Sequence, residues 1–368
     1  MSEWKKVKLG EVCEISAGGD RPQIFSNHIT DKCRIPIYSN GIDNEGLYGF
    51  TDTPKNNGNA ITITGRGANA GTVFYRKDPF LSIIRLLTLT PNSEIINAKY
   101  LFYLLKNKTF LSTGSAQPQI TVPNISQFEI EFNPDIETQH RIATILSRYD
   151  SLIENYQKQI KLLEEAAQRL YKEWFVDLRF PGHENTNIVD GVPEGWDKKK
   201  VGEVIAKVPR SKQIPTKDYQ NEGAIPIIDQ SRDYIAGYTD DIESMVESNE
   251  PYIVFGDHTR ILKYVPFPFA KGADGTQLIM SNNLDLMPQC LLFTSLVSVD
   301  LSNYSYARHF KYLKEEEILV PTASIANAFS KHVAKWYAKI QLNREQLRFL
   351  TEARDRLLPK LMSGEITV

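Results

Sequence analysis

The chain has 368 residues, of which 41% are hydrophobic and 24% charged, with a formal net charge of −2; this excludes a disordered or fibrous protein and leaves room for more than one core. No apolar run reaches the ~18 residues of a membrane span, and no apolar signal core follows Met1-Ser2-Glu3-Trp4-Lys5-Lys6, so a cytoplasmic protein with no membrane partner is expected. The three cysteines, Cys13, Cys33 and Cys290, are scattered and stand at no metal-ligand spacing, which argues against both a disulfide framework and a structural zinc.

In chain order, Ala60-Ile61-Thr62-Ile63-Thr64 and Thr72-Val73-Phe74-Tyr75 are rich in β-branched and aromatic residues and flank a stretch from Gly65 to Gly71, which predicts two strands around a loop. Ile83 to Leu89 reads as another strand, and Ala98 to Asn107 as a helix with Leu101, Leu104 and Leu105 on one face. A long helix follows. Its apolar residues fall at Ile142, Ile145, Tyr149, Leu152, Tyr156, Ile160, Leu163, Ala167, Leu170 and Trp174, in steps of three and four. Asn133-Pro134 supplies its start and Pro181-Gly182 its end. Further strands are expected at Ile225–Ile228, Tyr252–Phe255 and Leu291–Val299. A second long helix carries Phe329, Val333, Trp336, Ile340, Leu347, Leu350, Leu357 and Leu361, interrupted by Asn343 and Arg354. Thr322 or Ser324 would cap its start, and Ser363-Gly364 would close it.

The chain repeats itself. Trp4-Lys5-Lys6-Val7-Lys8-Leu9-Gly10-Glu11-Val12 returns as Trp196-Asp197-Lys198-Lys199-Lys200-Val201-Gly202-Glu203-Val204, and Ile35-Pro36-Ile37 as Ile225-Pro226-Ile227. Ile61 to Gly65 is echoed by Tyr252 to Gly256, Val122-Pro123 by Val320-Pro321, and Lys161–Glu165 with Arg169-Leu170 by Arg348–Glu352 with Arg356-Leu357. Each half thus has a globular part of mixed structure followed by one long helix. The expected fold is α+β, with domains at 1–133, 134–180 (helix), 181–321 and 322–368 (helix).

Each helical stripe is too narrow for a helix buried all round and too apolar to face water. The two helices are therefore expected to pack on each other, antiparallel, as a coiled coil; the competing arrangement packs each on its own globular domain. A helix of this length spans about 50–60 Å at ~1.5 Å per residue, which would hold two globular heads at a set separation.

Several segments resemble the specificity subunits of type I restriction-modification systems. Leu170-Tyr171-Lys172-Glu173-Trp174-Phe175-Val176-Asp177, followed by Arg179-Phe180-Pro181-Gly182-His183-Glu184, resembles the end of their central helix. Val192-Pro193-Glu194-Gly195-Trp196 resembles the opening of their second recognition domain, and Arg356-Leu357-Leu358-Pro359-Lys360-Leu361-Met362-Ser363-Gly364-Glu365-Ile366 their C-terminal end. Gly114-Ser115-Ala116-Gln117-Pro118-Gln119-Ile120 and Tyr306-Ala307-Arg308-His309-Phe310-Lys311 resemble loops late in their recognition domains. The resemblance covers the whole chain. It implies two target recognition domains, each reading half of a split sequence in double-stranded DNA, and two spacer helices that set the gap and bind the methyltransferase (modification) subunits. Two modification subunits and two restriction motor-nuclease subunits would complete the complex. S-adenosylmethionine, ATP and Mg would belong to those partners, with no cofactor in this chain and no catalysis by it.

The candidate DNA-binding residues follow the repeat. In Thr64 to Gly71, Gly65 and Gly67 let backbone approach a phosphate, Arg66 can neutralise one or grip a guanine, and Asn69 stands beside them. A tight strand connection with Arg66 in solvent fits the same pattern, and the resemblance favours DNA. The second unit offers His258 and Arg260 in Gly256-Asp257-His258-Thr259-Arg260, where Asp257 departs from the basic choice. Gln117 and Gln119 can bond adenine edges, although glutamine is equally at home in ordinary loops. Tyr306, Arg308, His309 and Lys311 interleave aromatic and basic groups, as a backbone-facing loop does. Lys198-Lys199-Lys200 reads as a solvated charge run. Arg141, Arg148, Arg169 and Arg348 are outward helix residues for a methyltransferase contact.

No Asn/Asp-Pro-Pro-aromatic site, GxGxxG or GxxxxGK[ST] phosphate loop, nuclease carboxylate set, or His triad or metal spacing occurs. The rivals to a DNA-specificity subunit are a stand-alone coiled-coil interaction module and an enzyme with an unrecognised active site. Near-neutral total charge means that a basic DNA face has to be built by the fold.

Overall fold

The computed structural model of the protein describes residues 4–106, 108–110, 119–247, 249–304 and 308–368. The chain divides into two compact units, Met1–Glu154 with Arg348–Val368, and Asn155–Leu347. Both mix helices and strands, as α+β patterning predicts. Among the described residues no helix is long and apolar enough to cross a membrane.

The first unit runs β1 (Lys5–Lys8), α1 (Leu9–Val12), β2 (Cys13–Ala17), β3 (Ile35–Tyr38), β4 (Leu47–Thr51), β5 (Ala60–Ile63), β6 (Val73–Arg76), β7 (Leu81–Ser82), β8 (Leu87–Pro91), α2 (Ala98–Lys106), α3 (Val122–Ser126) and β9 (Glu129–Phe132), then enters α4 (Ile136–Tyr171). One sheet has the order β2-β8-β5-β6 and another β4-β3-β7, with β3 and β7 parallel. β1 pairs antiparallel with β9, Lys5 opposite Phe132. The core gathers Ile61, Ile63, Leu87 and Leu89 from the larger sheet with Tyr100, Leu101, Leu104 and Leu105 of α2, and it includes Ile142 and Leu146 of α4 with Leu358 and Leu361. Burying such side chains stabilises the unit by about 1.5–3 kcal/mol each.

The second unit contains β10 (Ile188–Val189), β11 (Val192–Pro193), β12 (Asp197–Lys200), α5 (Val201–Val204), β13 (Ile225–Ile228), β14 (Gly237–Thr239), β15 (Met245–Val246), β16 (Tyr252–Gly256), β17 (Leu262–Val265), β18 (Phe269–Lys271), β19 (Thr276–Ile279), α6 (Gln289–Val297), α7 (Phe310–Glu315), β20 (Glu317–Val320) and the start of α8 (Ala323–Met362). It repeats the first unit's plan. β12 pairs antiparallel with β20 as β1 does with β9, β13 pairs antiparallel with β14 and parallel with β18 as β3 does with β4 and β7, and β16 lies between β17 and β19. Both members of the Ile-Pro-Ile echo therefore start the equivalent strand.

Four expectations from the sequence are corrected. Leu291–Val299 is not a strand, because Gln289–Val297 forms α6 with Cys290, Leu291, Leu292, Thr294, Ser295 and Leu296 all buried. A helix buried on nearly every side has no polar face, so its periodicity vanishes. Ile83–Leu89 is not continuous: a turn at Ile84–Arg85 separates β7 from β8. Val122-Pro123 opens α3 whereas Val320-Pro321 ends β20, so these two are not equivalents. Finally, the echo of Ile61–Gly65 is displaced by one residue. Ile61 and Ile63 face their unit's main core, and in the second unit Ile253 and Phe255 do so, while Val254 belongs to a different cluster on the opposite face. A one-residue slip reverses every side chain of a strand. Ile63 therefore corresponds to Phe255, and Gly65 to Asp257.

The long helices meet within each unit. In the first, Arg354 of α8 places a guanidinium nitrogen 2.7 Å from Asp150 Oδ1 of α4. In the second, Phe329 packs edge-on against Trp174 and Tyr171, Asn343 Nδ2 donates to Gln159 Oε1 at 3.2 Å, and Arg344 pairs with Glu164 at 2.8 Å. In the second unit Gln159 meets Asn343 and Tyr171 meets Phe329, so rising numbers on α4 meet falling numbers on α8 there. The two polar interruptions of the second stripe, Asn343 and Arg354, are thus bonded to residues of the partner helix.

Candidate nucleic-acid interface

In the first unit the connection after β5 is built by its own backbone. Thr64 N donates to Thr72 O (3.0 Å), Gly71 N to Thr64 O (2.8 Å) and Ala70 N to Gly67 O (3.1 Å). The Asn69 carbonyl accepts from the hydroxyls of Thr64 and Thr72. Gly67 has φ +80° and would meet nothing within 4 Å through a Cβ, so its role is conformational. Arg66 and Asn69 are exposed. Among the described residues no hydrogen bond or ion pair engages the Arg66 guanidinium, so it is available to an external acceptor. Gln119 comes to the same place: its backbone bridges Arg66, and Ile120 N donates to Gly65 O at 2.8 Å. Gln117 lies outside the described residues.

One residue that sequence reading missed organises this edge. Asn40 accepts at Oδ1 from Gly65 N (2.7 Å) and donates from Nδ2 to the Ile84 carbonyl. It ties the Gly65–Gly71 loop to the turn between β7 and β8. In the second unit Gln230 accepts at Oε1 from His258 N (3.1 Å) and donates from Nε2 to Asp274 O (2.8 Å). Asn40 and Gln230 stand at the same offset after the Ile-Pro-Ile echo, and carrying that echo three residues further would have found them. Glutamine is one methylene longer, and its loop contact falls one residue further on, past Asp257 at His258.

The second unit's loop is put to different use. Asp257 is buried; its carboxylate accepts from Phe310 N (2.8 Å) and its carbonyl from His309 N (2.9 Å). This explains an acidic residue where the first unit has glycine: the carboxylate serves the start of α7. Arg260, at φ +62°, turns inward, donating to Tyr304 O at 2.8 Å and from Nε to His309 Nε2 at 3.2 Å. His309 is itself buried, so Arg308, His309 and Lys311 do not form one outward row. Burial, with the Arg260 charge beside it, holds His309 below the usual histidine range. The ring accepts at Nε2, and among the described residues its Nδ1 has no hydrogen-bond partner. His258, Arg308 and Lys311 are exposed, Lys311 lying 4.6 Å from the Tyr312 ring centre. Tyr306 lies outside the described residues.

The lysine run is engaged within the fold. Lys198 pairs with Glu317 at 2.6 Å, Lys199 with Asp197 at 3.1 Å and Lys200 with Glu315 at 2.7 Å. Arg141, Arg148, Arg169 and Arg348 are exposed on the long helices. Among the described residues no group of His, Cys, Asp and Glu is placed to hold a metal ion.

Residues 1–165 match the family model of the type I restriction modification DNA specificity domain. The MjaIX specificity subunit of the type I restriction enzyme of Methanocaldococcus jannaschii is 30% identical over 341 residues, spanning 84% of this chain and 78% of that protein. The HindI specificity subunit of Haemophilus influenzae is 24% identical with the whole of both chains covered. The crystal structure of the S subunit of a type I restriction-modification system from M. genitalium shares the fold, with TM-score 0.70 and 18% identity over 98% of this chain and 96% of that one. The repeated architecture, the matched loop pairs and this similarity along most of its length place the chain in the family of type I restriction-modification specificity subunits.

Proposed function

We propose that the protein reads a bipartite target in double-stranded DNA and directs partner adenine methyltransferase and restriction subunits to it, without catalysing either reaction. The repeat carries this reading: two units of one plan each hold two loops together through one amide side chain, Asn40 or Gln230. Two similar readers on one chain suit a target in two halves. In this proposal residues 1–133 and 181–321 are the recognition domains, while 134–180 and 322–368 are spacer helices that act as an antiparallel coiled coil and fix the unread gap. The contacts of Asp150 with Arg354, and of Gln159 with Asn343, support that pairing.

The proposed contacts divide by chemistry. Arg66 and Asn69, with Gly65 and Gly67 setting the backbone, would meet DNA in the first half, with Gln117 and Gln119 alongside. His258, Tyr306, Arg308 and Lys311 would do so in the second, with Arg260 and His309 shaping the loop from inside. Exposed cations position the duplex, and bidentate side chains specify bases. Two modification and two restriction subunits are the proposed partners, with S-adenosylmethionine, ATP and Mg bound by them in a cytoplasmic assembly. Exchanging residues 1–133 for the same segment of another specificity subunit, followed by mapping of methylated sites in cells, tests the division of labour. One half-site should change and the other persist; a change in both halves refutes it.

A further inference from the structure

The turn between β7 and β8 carries two adjacent non-glycine residues with left-handed backbone, Ile84 at φ +53° and Arg85 at φ +58°. Leu86 N donates to Ile83 O at 3.1 Å across it. Two-residue turns with positive φ at both centres favour Asn and Gly, and a β-branched residue there is an outlier. The surrounding backbone imposes it. Ile84 N donates to Gly19 O and Arg85 N to Gly18 O, both at 2.8 Å, while Ile83 N donates to Tyr38 O at 2.9 Å. A Cβ on Gly18 would lie 2.7 Å from Ile83 N, so only glycine permits this approach. Asn40 holds the Ile84 carbonyl from the other side.

The consequence is that both side chains are thrown outward. Ile84 is 51% exposed. Arg85 is exposed, and among the described residues no acceptor or carboxylate engages it. Asn40 joins the turn to Gly65, and a Cβ on Gly65 would lie 3.2 Å from Arg85 O, so the turn abuts the loop that carries the unpaired Arg66. Lys55, which forms no ion pair among the described residues, places its ammonium 3.9 Å from where a Cβ on Gly19 would stand. Three cations without an ion pair among the described residues and an exposed isoleucine therefore share one edge of the first unit. A phosphate can be met by any flexible lysine, and it gives an isoleucine no purpose. An arginine on a fixed backbone turn beside an apolar side chain suits base edges, where arginine grips guanine O6 and N7 and an aliphatic group covers a thymine methyl.

We propose that the Ile84–Arg85 turn is a second DNA-reading element of the first unit, with Arg85 a specificity-determining residue that bonds a base edge and Ile84 the apolar contact beside it. This rests on the DNA-reading function proposed above. The test uses the full chain in complex with its modification subunits. It measures affinity for cognate and scrambled duplexes over a range of salt, the methylated sequence, and the thermal midpoint of each variant.

Arg85→Ala should weaken cognate binding by about 10- to 100-fold, the size of one bidentate base contact. It should barely change scrambled binding, and it should relax the methylated sequence at one position in one half. Arg85→Lys should not rescue it, because an ammonium lacks the planar fork. Ile84→Gly should hold or raise the midpoint, since glycine accepts the left-handed backbone, while lowering the cognate preference. If Arg85→Ala leaves the cognate-to-scrambled ratio unchanged while Arg66→Ala alters it, the inference fails and DNA reading stands. If Arg85→Ala weakens all duplexes equally, the turn contacts phosphate only and the specificity role is overturned. If the unaltered complex does not distinguish cognate from scrambled duplex, both proposals fall.

Discussion

Replacing Arg354 by alanine tests whether the helix pairing in the first unit rests on a polar link as well as on apolar packing. Arg354 sits on the apolar stripe of α8 with its side chain 14% exposed, against Asp150 of α4 at 23%. Asp150 also accepts from the Tyr103 hydroxyl at 2.5 Å, and Arg354 bonds Asp355 at 2.8 Å. An exposed ion pair contributes about 0–1 kcal/mol, and removing one partner of a fully buried pair costs about 3–5 kcal/mol. This pair is mostly but not wholly sequestered, and Tyr103 still serves the carboxylate after the arginine is gone. A loss of about 2 kcal/mol follows, or about 4–8 °C in the midpoint of a unit this size. Urea unfolding of Arg354→Ala, Asp150→Asn and the double variant provides the assay, with hydrogen exchange to assign the transition to the first unit. The cycle should return a coupling of about 1 kcal/mol or more. A coupling near zero, with Arg354→Ala within about 0.5 kcal/mol of the parent, would show that the link is incidental.

Two further outcomes are expected. Lys263 is buried, 3.8 Å from Asp229, and burial pushes it down to about 8. Against an unfolded value of about 10.4, the folded chain binds fewer protons between these two values. Stability should therefore climb as pH rises from about 8 to 10 and stay level below that window. The climb should be about 2–3 kcal/mol in the difference between the parent and Lys263→Met, and a difference flat with pH would refute it. Phe329→Ala should cost about 3–5 kcal/mol, because the ring is fully buried against Phe175, Trp174 and Tyr171. Hydrogen exchange should show the loss in the second unit, and protection there equal to the parent's would contradict this packing.

What the sequence made legible was mostly what repeats or has a period. The paired copies of Trp4–Val12 and Ile35–Ile37 located equivalent strands, and the stripes from Ile142 and Phe329 located the long helices. Gln289–Val297 was hidden because a helix without a polar face has no period to read. The Ile84–Arg85 turn was hidden because isoleucine and leucine around it look like strand, and only the close approach of Gly18 forces the break. The inward aim of Arg260 and the burial of His309 depend on Tyr304, Asp257 and Phe310 folding together. No local pattern distinguishes such an arginine from the exposed Arg66. Asn40 and Gln230 were readable in principle, since both follow the same echo, but an amide in a loop draws notice only once its two partners are known.

The first unit is assembled from two segments far apart in sequence, Met1–Glu154 and Arg348–Val368. Leu358 and Leu361 share its core with Val7 and Ile130, and a Cβ on Gly364 would lie 2.8 Å from Trp4 Nε1. Synthesis proceeds from the amino end, and domains ordinarily close in the order in which they emerge. Here the earlier unit has to wait, because Leu358 and Leu361 of α8 join the cluster that holds Ile142 and Leu146 only after α8 has been translated. The later unit ends at Leu347 and has all its residues sooner, so the segment made first is the one completed last.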